Sequence, residues 1–274
     1  MTSVFLIVGV KGGAGATTLC VDLARAARRA KRNVTIVDAD LTGRRHVAEL
    51  LDGVRALNAN RGGNIFSIAR ADEIEVVELV DKYDDRFALR RNEVDALANN
   101  ITVGENHLVL IDAPRPFETQ VHPFVARASR VLLVMEPDHL GSASSRTLIR
   151  DLARFGIPLG QMWLVVNQRQ GRADIATREL EKILGIAVAA ELPRKGDKRN
   201  ERAIDALLKK MQDAPPESAF NNLTSAMWSD SSKLKGMPGN AAGSNGAASG
   251  NGASGVDTFA REALERRNRI RHEI

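Results

Sequence analysis

The sequence has a single cysteine, few aromatic residues and no long apolar run, and each shortage excludes a class of protein. One cysteine, Cys20, in 274 residues excludes an internal disulfide framework. Aromatic residues make up 4% of the chain, too few to build the stacking platforms that bind single-stranded nucleic acid. No apolar stretch approaches the roughly 18 residues of a membrane span, and the first residues lack the pattern of a signal peptide. We therefore expect a cytoplasmic protein.

Positive charge is concentrated in a few places, although the formal net charge is only +5. Lysine and arginine cluster within residues 25–32, 194–210 and 261–271. Such clusters are typical of solvated helix faces with cations near helix C-termini. They also fit a basic surface for DNA, acidic lipid or an acidic protein partner, so both interpretations stay open.

Short apolar runs alternate with helical patterns along most of the chain. The runs predict strands at Val4–Val8, Val34–Val37, Leu108–Ile111, Val131–Met135, Trp163–Val166 and Ile186–Leu192. The patterns between them predict helices at Thr17–Ala30, Thr119–Ala128, Ser142–Phe155, Asp174–Leu184 and Asp197–Gln212. Strands that are apolar throughout are typical of a parallel sheet covered on both faces. We therefore expect a doubly wound, mostly parallel α/β domain with its ligand at the carboxyl ends of the strands.

The chain divides into an α/β domain and two terminal segments. Residues 1–213 form the predicted α/β domain, within which 53–106 favours two short helices and leaves an edge strand open. Residues 214–255 become rich in Gly, Ser, Ala and Asn, a composition typical of a flexible linker. Residues 256–274 predict a basic terminal helix with Asp257 as its N-cap. This helix fits a docking peptide or a weak surface anchor, or it folds back on its own domain.

The stretch VGVKGGAGATTLC, residues 8–20, links the first predicted strand to the first predicted helix. Its glycines allow positive φ and a close approach of phosphate to main-chain amides, and the helix N-terminus adds a favourable dipole. The Thr17 hydroxyl is placed to bind Mg²⁺. Position 16, where a phosphate loop has its lysine, is alanine. The candidate nucleotide-binding residues of the loop are Lys11, Gly12, Gly13, Ala14, Gly15, Ala16, Thr17 and Thr18.

The segment KGGAGATT resembles the deviant Walker A loop of the MinD/ParA ATPases, whose pattern is KGGxGK[ST]. The resemblance extends over roughly residues 1–212. It implies a P-loop NTPase fold, ATP and Mg²⁺ as cofactors, and a homodimer that forms around nucleotide. In that family the first lysine, matched here by Lys11, reaches across the dimer to the partner's phosphates.

Two further segments resemble the motifs that hold the metal in this family. VDADLTG, after the second predicted strand, is similar to the A′ motif, which implies catalytic roles for Asp38 and Asp40 near Mg²⁺ and the attacking water. LVLIDAP is similar to Walker B, which implies that Asp112 is a metal carboxylate. The resemblance thus implies Thr17, Asp38 and Asp112 as the metal set, and Lys11, Asp38 and Asp40 as the catalytic set.

Smaller features indicate which residues contact the adenine and which branch of the family the chain resembles. VVNQ and ELP are similar to the segments that contact the base, which implies that Asn167 reads the adenine and Pro193 lies beside it. A loop with alanine at position 16 is similar to that of the TadZ/CpaE proteins, which localise pilus-assembly machinery. This likeness implies protein partners in a pilus, secretion or polarity system, met at a cell pole or at the inner-membrane surface.

Ala16 removes a cation that would contact the β- and γ-phosphates. Loss of one such electrostatic donor costs roughly 2–4 kcal/mol of transition-state stabilisation, or about 30- to 1000-fold in rate. Main-chain amides, Mg²⁺ and Lys11 remain, so we expect a nucleotide binder with slow hydrolysis. Two alternatives stay open: a DNA-segregation ATPase that binds DNA nonspecifically, and a nucleotide-locked scaffold without turnover.

Overall fold

The computed structural model describes residues 2–51, 67–80, 82–101, 106–114, 118–168, 173–193 and 198–214. Within these residues one sheet of eight strands has the order β3-β4-β2-β5-β1-β6-β7-β8. All neighbouring strands are parallel except β3 and β4. The predicted doubly wound, mostly parallel α/β fold is therefore confirmed. The strands are β1 (Thr2–Gly9), β2 (Asn33–Asp38), β3 (Ser67–Ala71), β4 (Ile74–Glu78), β5 (His107–Asp112), β6 (Arg130–Met135), β7 (Met162–Asn167) and β8 (Ala187–Leu192).

The described helices include the five that were predicted, with bounds within three residues of those predicted. They are α1 (Ala16–Arg29), α2 (His46–Leu50), α3 (Arg91–Ile101), α4 (His122–Arg127), α5 (His139–Arg154), α6 (Thr177–Leu184) and α7 (Lys198–Asp213), with 3₁₀ turns at Tyr83–Phe87 and Leu159–Gln161. The five predicted helices are α1, α4, α5, α6 and α7, of which α4 and α6 begin three residues later than predicted. α5 begins three residues before Ser142 because Asp138 caps it through a hydrogen bond from the Gly141 amide. Among the described helices, none has the length and apolar character needed to span a bilayer.

Both faces of the sheet are buried, as the apolar strands predict. In β1, Leu6 and Val8 belong to the core on one face and Phe5 and Ile7 to the core on the other. These four side chains are at most 2% exposed. Because successive side chains of a strand point to opposite faces, helices must cover both sides of β1. The strand ends are then the part of the sheet left open to a ligand.

The segment between β2 and β5 differs from its prediction. In place of the two short helices predicted for residues 53–106, the described residues of that range contain the antiparallel hairpin β3–β4, a 3₁₀ turn and the helix α3. The hairpin turns at Asp72 and Glu73, whose φ angles are +48° and +61°. Two positive φ angles are typical of a hairpin turn that favours Asn-Gly or Asp-Gly. Because neither turn residue is glycine, the sequence does not indicate a hairpin at this point. The edge strand that the sequence analysis left as an open possibility is present as β3.

The predicted linker and terminal helix, residues 214–255 and 256–274, lie outside the described residues except for Ala214. Both segments therefore stay predictions. The α/β domain ends within the described part at α7, which begins one residue after its predicted start and ends one residue after its predicted end.

Candidate functional site

Three acidic side chains lie at the carboxyl ends of adjacent strands. Asp38 pairs in register with Asp112 on one side and with Glu78 on the other. All three residues are at most 6% exposed. Asp38 and Asp112 are the predicted metal carboxylates, so the sheet brings them together as the resemblance implied. Glu78 is an acid that the sequence analysis did not single out.

The loop from Lys11 to Gly15 leaves the sheet at the end of β1 and leads into α1. Gly13 and Gly15 have φ angles of +77° and +96°, which side chains other than glycine rarely adopt. A Cβ atom at Gly12 or Gly13 would meet no atom within 4 Å, so the space above these two residues is open. No side chain caps α1, whose N-cap is Gly15. The first amides of the helix thus keep their capacity to bind an anion.

The Asn167 side chain contacts this loop at Ala14. Its Nδ2 donates a hydrogen bond to the carbonyl oxygen of Ala14 at 2.8 Å. A Cβ atom at Gly15 would lie 2.5 Å from the same nitrogen, so glycine is required for this contact as well as for the φ angle. Pro193 follows β8, whose Leu192 pairs with Asn167. Both predicted base-contacting residues therefore lie at the ends of neighbouring strands, and Asn167 contacts the loop.

Asp38 and Asp40 form a tight turn after β2. The Asp40 amide donates to Oδ1 of Asp38 at 3.1 Å, and the Thr42 amide donates to Oδ1 of Asp40 at 2.9 Å. Oδ2 of Asp38 accepts a longer hydrogen bond of 3.4 Å from the amide of Val47. These bonds fix the Asp38 carboxylate beside Asp112 while Asp40 stays more exposed.

The pKa values of the two buried carboxyl groups are raised. Burial raises the pKa of Asp112 to about 7, and the nearby charge of Asp38 adds to the effect, while a hydrogen bond from Thr17 opposes it. Burial likewise raises the pKa of Asp38 to about 6, against the hydrogen bond from the Asp40 amide. Two carboxylates this close repel each other when both are ionised. A cation between them would remove that cost.

Thr17 and Thr18 lie in the first turn of α1, which begins with Ala16. The Thr17 side chain makes a hydrogen bond with Asp112, so the predicted metal hydroxyl and metal carboxylate are in contact. Ala16 is the first helical residue and has no charged atom to offer to a phosphate. The predicted metal set of Thr17, Asp38 and Asp112 is therefore one cluster.

Lys11 is held by two acids that the sequence analysis missed. Its Nζ lies 2.6 Å from Oδ2 of Asp138 and 2.9 Å from Oε2 of Glu136. The hydrogen bonds to Asp138 and Glu136 raise the pKa of Lys11. Burial opposes ionisation of Asp138, but the hydrogen bond from Lys11 keeps the pKa of Asp138 below its usual value. Both acids follow β6, the neighbour of β1, and an acidic pair after a buried strand is the signal that could have identified them.

Arg45 is a further residue that the sequence analysis missed, and it forms an ion pair with Glu78. The Arg45 Nε donates to Oε1 of Glu78 at 2.8 Å. The Glu78 side chain is 2% exposed, and a buried carboxylate needs such a partner. This pair accounts for the third acid of the strand ends, so Asp38 and Asp112 are the two for which a metal ion is the natural counter-charge.

The residues at the strand ends fit a magnesium nucleotide. Open space over Gly12 and Gly13 and the uncapped start of α1 suit a phosphate chain. Paired carboxylates next to a threonine hydroxyl are the oxygen donors that Mg²⁺ prefers. Thr17, Asp38 and Asp112 would hold the metal, which would neutralise charge on the phosphates.

The chain is similar to known nucleotide-binding domains. A model of the CobQ/CobB/MinD/ParA nucleotide-binding domain matches residues 5–213. An uncharacterized ATP-binding protein of Methanocaldococcus jannaschii is 24% identical over 245 residues, which cover 81% of this chain and 88% of that protein.

Solved structures of the same fold are also similar. The septum site-determining protein MinD of Pyrococcus horikoshii, complexed with Mg-ADP, matches with a TM-score of 0.62 and 19% identity over 78% of this chain and 97% of that one. A ParA family ATPase of Chlorobium tepidum matches with a TM-score of 0.56 and 15% identity over 82% of this chain and 98% of that one. At these identities the likeness establishes the fold.

Proposed function

The chain belongs to the family of CobQ/CobB/MinD/ParA nucleotide-binding domains, and on this basis we propose that it is a spatial-organiser ATPase that binds Mg-ATP and hydrolyses it slowly. The main support is the contact with Asp112 of Thr17, which lies in the first turn of the helix that follows the open glycine loop. This arrangement places oxygen ligands for a metal next to amides that suit phosphate.

Slow hydrolysis follows from the side chains around the loop. Phosphoryl transfer depends mainly on positioning and on neutralising the charge that develops on the phosphates. Ala16 has no charge to contribute, and Lys11 is bound to Glu136 and Asp138. The deviant Walker A pattern with alanine at this position favours the TadZ/CpaE branch, and we propose localisation of pilus or secretion machinery as the role.

We further propose that the output is a change of association state, with a homodimer formed around nucleotide. Such a protein would work in the cytoplasm and reach a pole or the inner-membrane surface through protein partners. Residues 214–255 would serve as the linker and residues 256–274 as the segment that contacts a partner, since the latter combines five arginines with a narrow apolar stripe.

Replacing Lys11 with alanine is expected to abolish dimerisation on nucleotide. In a sandwich dimer the Lys11 ammonium would bridge to phosphates of the other chain, and loss of a buried charge contact of this kind costs 2–5 kcal/mol or more. Sedimentation velocity of the full chain with and without Mg-ATPγS measures this directly. The wild type should shift from monomer to dimer, whereas Lys11→Ala should stay monomeric.

The matched control is Lys209→Ala, because Lys209 is an exposed lysine of α7 remote in sequence from the loop. It should dimerise like the wild type. Dimers of Lys11→Ala at wild-type strength would show that Lys11 is not the bridging cation.

DNA segregation is the second candidate function. Exposed cations on α7, including Lys198, Arg202 and Lys209, would suit phosphate contacts, and the fold is shared with a ParA ATPase. Binding of that kind weakens steeply with salt. A nucleotide-dependent, salt-sensitive retention on nonspecific DNA would favour it over the pilus role. The third candidate, a nucleotide-locked scaffold, would release no phosphate over hours.

A further inference from the structure

The glycine loop, residues 11–18, has no lysine whose charge is left unpaired. Ala16 supplies no charge, and the Lys11 ammonium lies between Glu136 and Asp138 at hydrogen-bond distance from each. The two acids outnumber the one cation. Asp38 and Asp112 lie at the neighbouring strand ends. Together these side chains make the electrostatic potential at the loop negative.

The acids that hold Lys11 are themselves rigidly placed. The Asp138 amide donates to the Glu136 carbonyl at 2.8 Å, and the Asp174 and Ile175 amides both donate to the Pro137 carbonyl at 3.0 and 3.2 Å. The Asp138 carboxylate accepts from the Gly141 amide at the start of α5. The Lys11 side chain therefore contacts a pair of carboxylates whose backbone is hydrogen-bonded to the segment at Asp174 and Ile175.

We propose that Glu136 and Asp138 are positioning residues for Lys11 that make the loop selective for metal-complexed nucleotide over the free anion. This inference rests on the proposed function of the same site. A free nucleotide would bring negative charge to a loop whose one lysine is already paired with two carboxylates. Nothing would then offset the repulsion between the phosphates and the acids around the loop. A nucleotide complexed with Mg²⁺ brings the missing positive charge and a ligand for Thr17, Asp38 and Asp112.

The selectivity is measured by binding of mant-ADP to the full chain, in excess Mg²⁺ and in EDTA. We expect the wild type to bind at least about 30-fold more tightly with Mg²⁺. The double variant Glu136→Gln, Asp138→Asn should gain roughly 5- to 50-fold in affinity in EDTA, because removal of two charges beside Lys11 frees it for phosphate. Asparagine keeps the cap of α5, since it caps helices as well as aspartate does.

The matched control is Glu179→Gln, an exposed acid on α6, which should bind like the wild type in both buffers. A second measurement is independent of nucleotide: the rate of Lys11 acetylation by a limiting amine-acylating reagent, followed by mass spectrometry. Lys11 should react more slowly than the exposed Lys209 in the wild type and several-fold faster in the double variant than in the wild type.

The outcomes separate this inference from the proposed function. A wild type that binds mant-ADP equally well with and without Mg²⁺, or a Lys11 whose acetylation is unchanged in the double variant, overturns the positioning role while the ATPase proposal stands. A protein that binds no mant-ADP in either buffer overturns the proposed function and this inference with it.

Discussion

Asp112→Asn is expected to raise the stability of the nucleotide-free protein above pH 7 and to remove most of the stabilisation that Mg-ADP provides. The folded-state pKa of Asp112 is about 7, against 3.8 for the free side chain. A carboxyl group whose pKa is raised by folding contributes stability that is fully present below pH 4 and is lost as the pH rises through 7. The amide never ionises, so the variant avoids this loss, which amounts to at most about 4 kcal/mol.

Thermal unfolding of wild type and variant in EDTA, between pH 4 and 8, measures the first effect. The two curves should lie close together at pH 4 and diverge as the pH rises, with the variant higher. At pH 8, addition of Mg-ADP should raise the melting temperature of the wild type far more than that of Asp112→Asn. Asp174→Asn, an exposed acid, should follow the wild type throughout. A variant that is less stable than the wild type at pH 8 in EDTA would show that the Asp112 carboxylate is not in a destabilising environment.

Ala16→Lys is expected to accelerate ATP hydrolysis by roughly 30- to 1000-fold. Residue 16 begins α1, so a lysine there would extend from the helix start toward the space above the glycines. It would add a cation that acts on the charge developing at the transferred phosphate. Release of radioactive phosphate over hours gives the slow wild-type rate and the faster rate of the variant.

Ala16→Gln is the control, because it adds a long side chain without charge and should leave the rate near that of the wild type. Equal rates for Ala16→Lys and Ala16→Gln would contradict the account. The slow step would then depend on the position of Lys11, or on association of two chains, and not on the missing charge.

Much of the fold follows from features that are local in the sequence. Residues such as Leu6, Leu110 and Leu133 lie in continuous apolar runs, and these runs predicted buried parallel strands. Asp38 and Asp112 follow two such runs, and the carboxyl ends of parallel strands lie at one edge of a sheet. Their role as one metal set was implied by the resemblance of these segments to the A′ and Walker B motifs. The glycine loop was identified from its own residues, because its glycines lie between an apolar run and a helical pattern and resemble the deviant Walker A loop.

Other features depend on contacts that the sequence does not encode locally. Lys11 and Asp138 are 127 residues apart, and their pairing depends on β6 lying beside β1 in the sheet. The hairpin of β3 and β4 turns through Asp72 and Glu73, which lack the glycine that marks such turns. The raised pKa of Asp112 depends on burial by the assembled fold, so no sequence pattern could have predicted it.

The most direct test of the whole account is a crystal structure of the full chain grown with millimolar Mg-ADP. We expect the phosphates within hydrogen-bond distance of the amides of residues 12–18, with the metal ion beside Thr17. Density for the nucleotide at another surface, or a glycine loop without phosphate at that concentration, would contradict it.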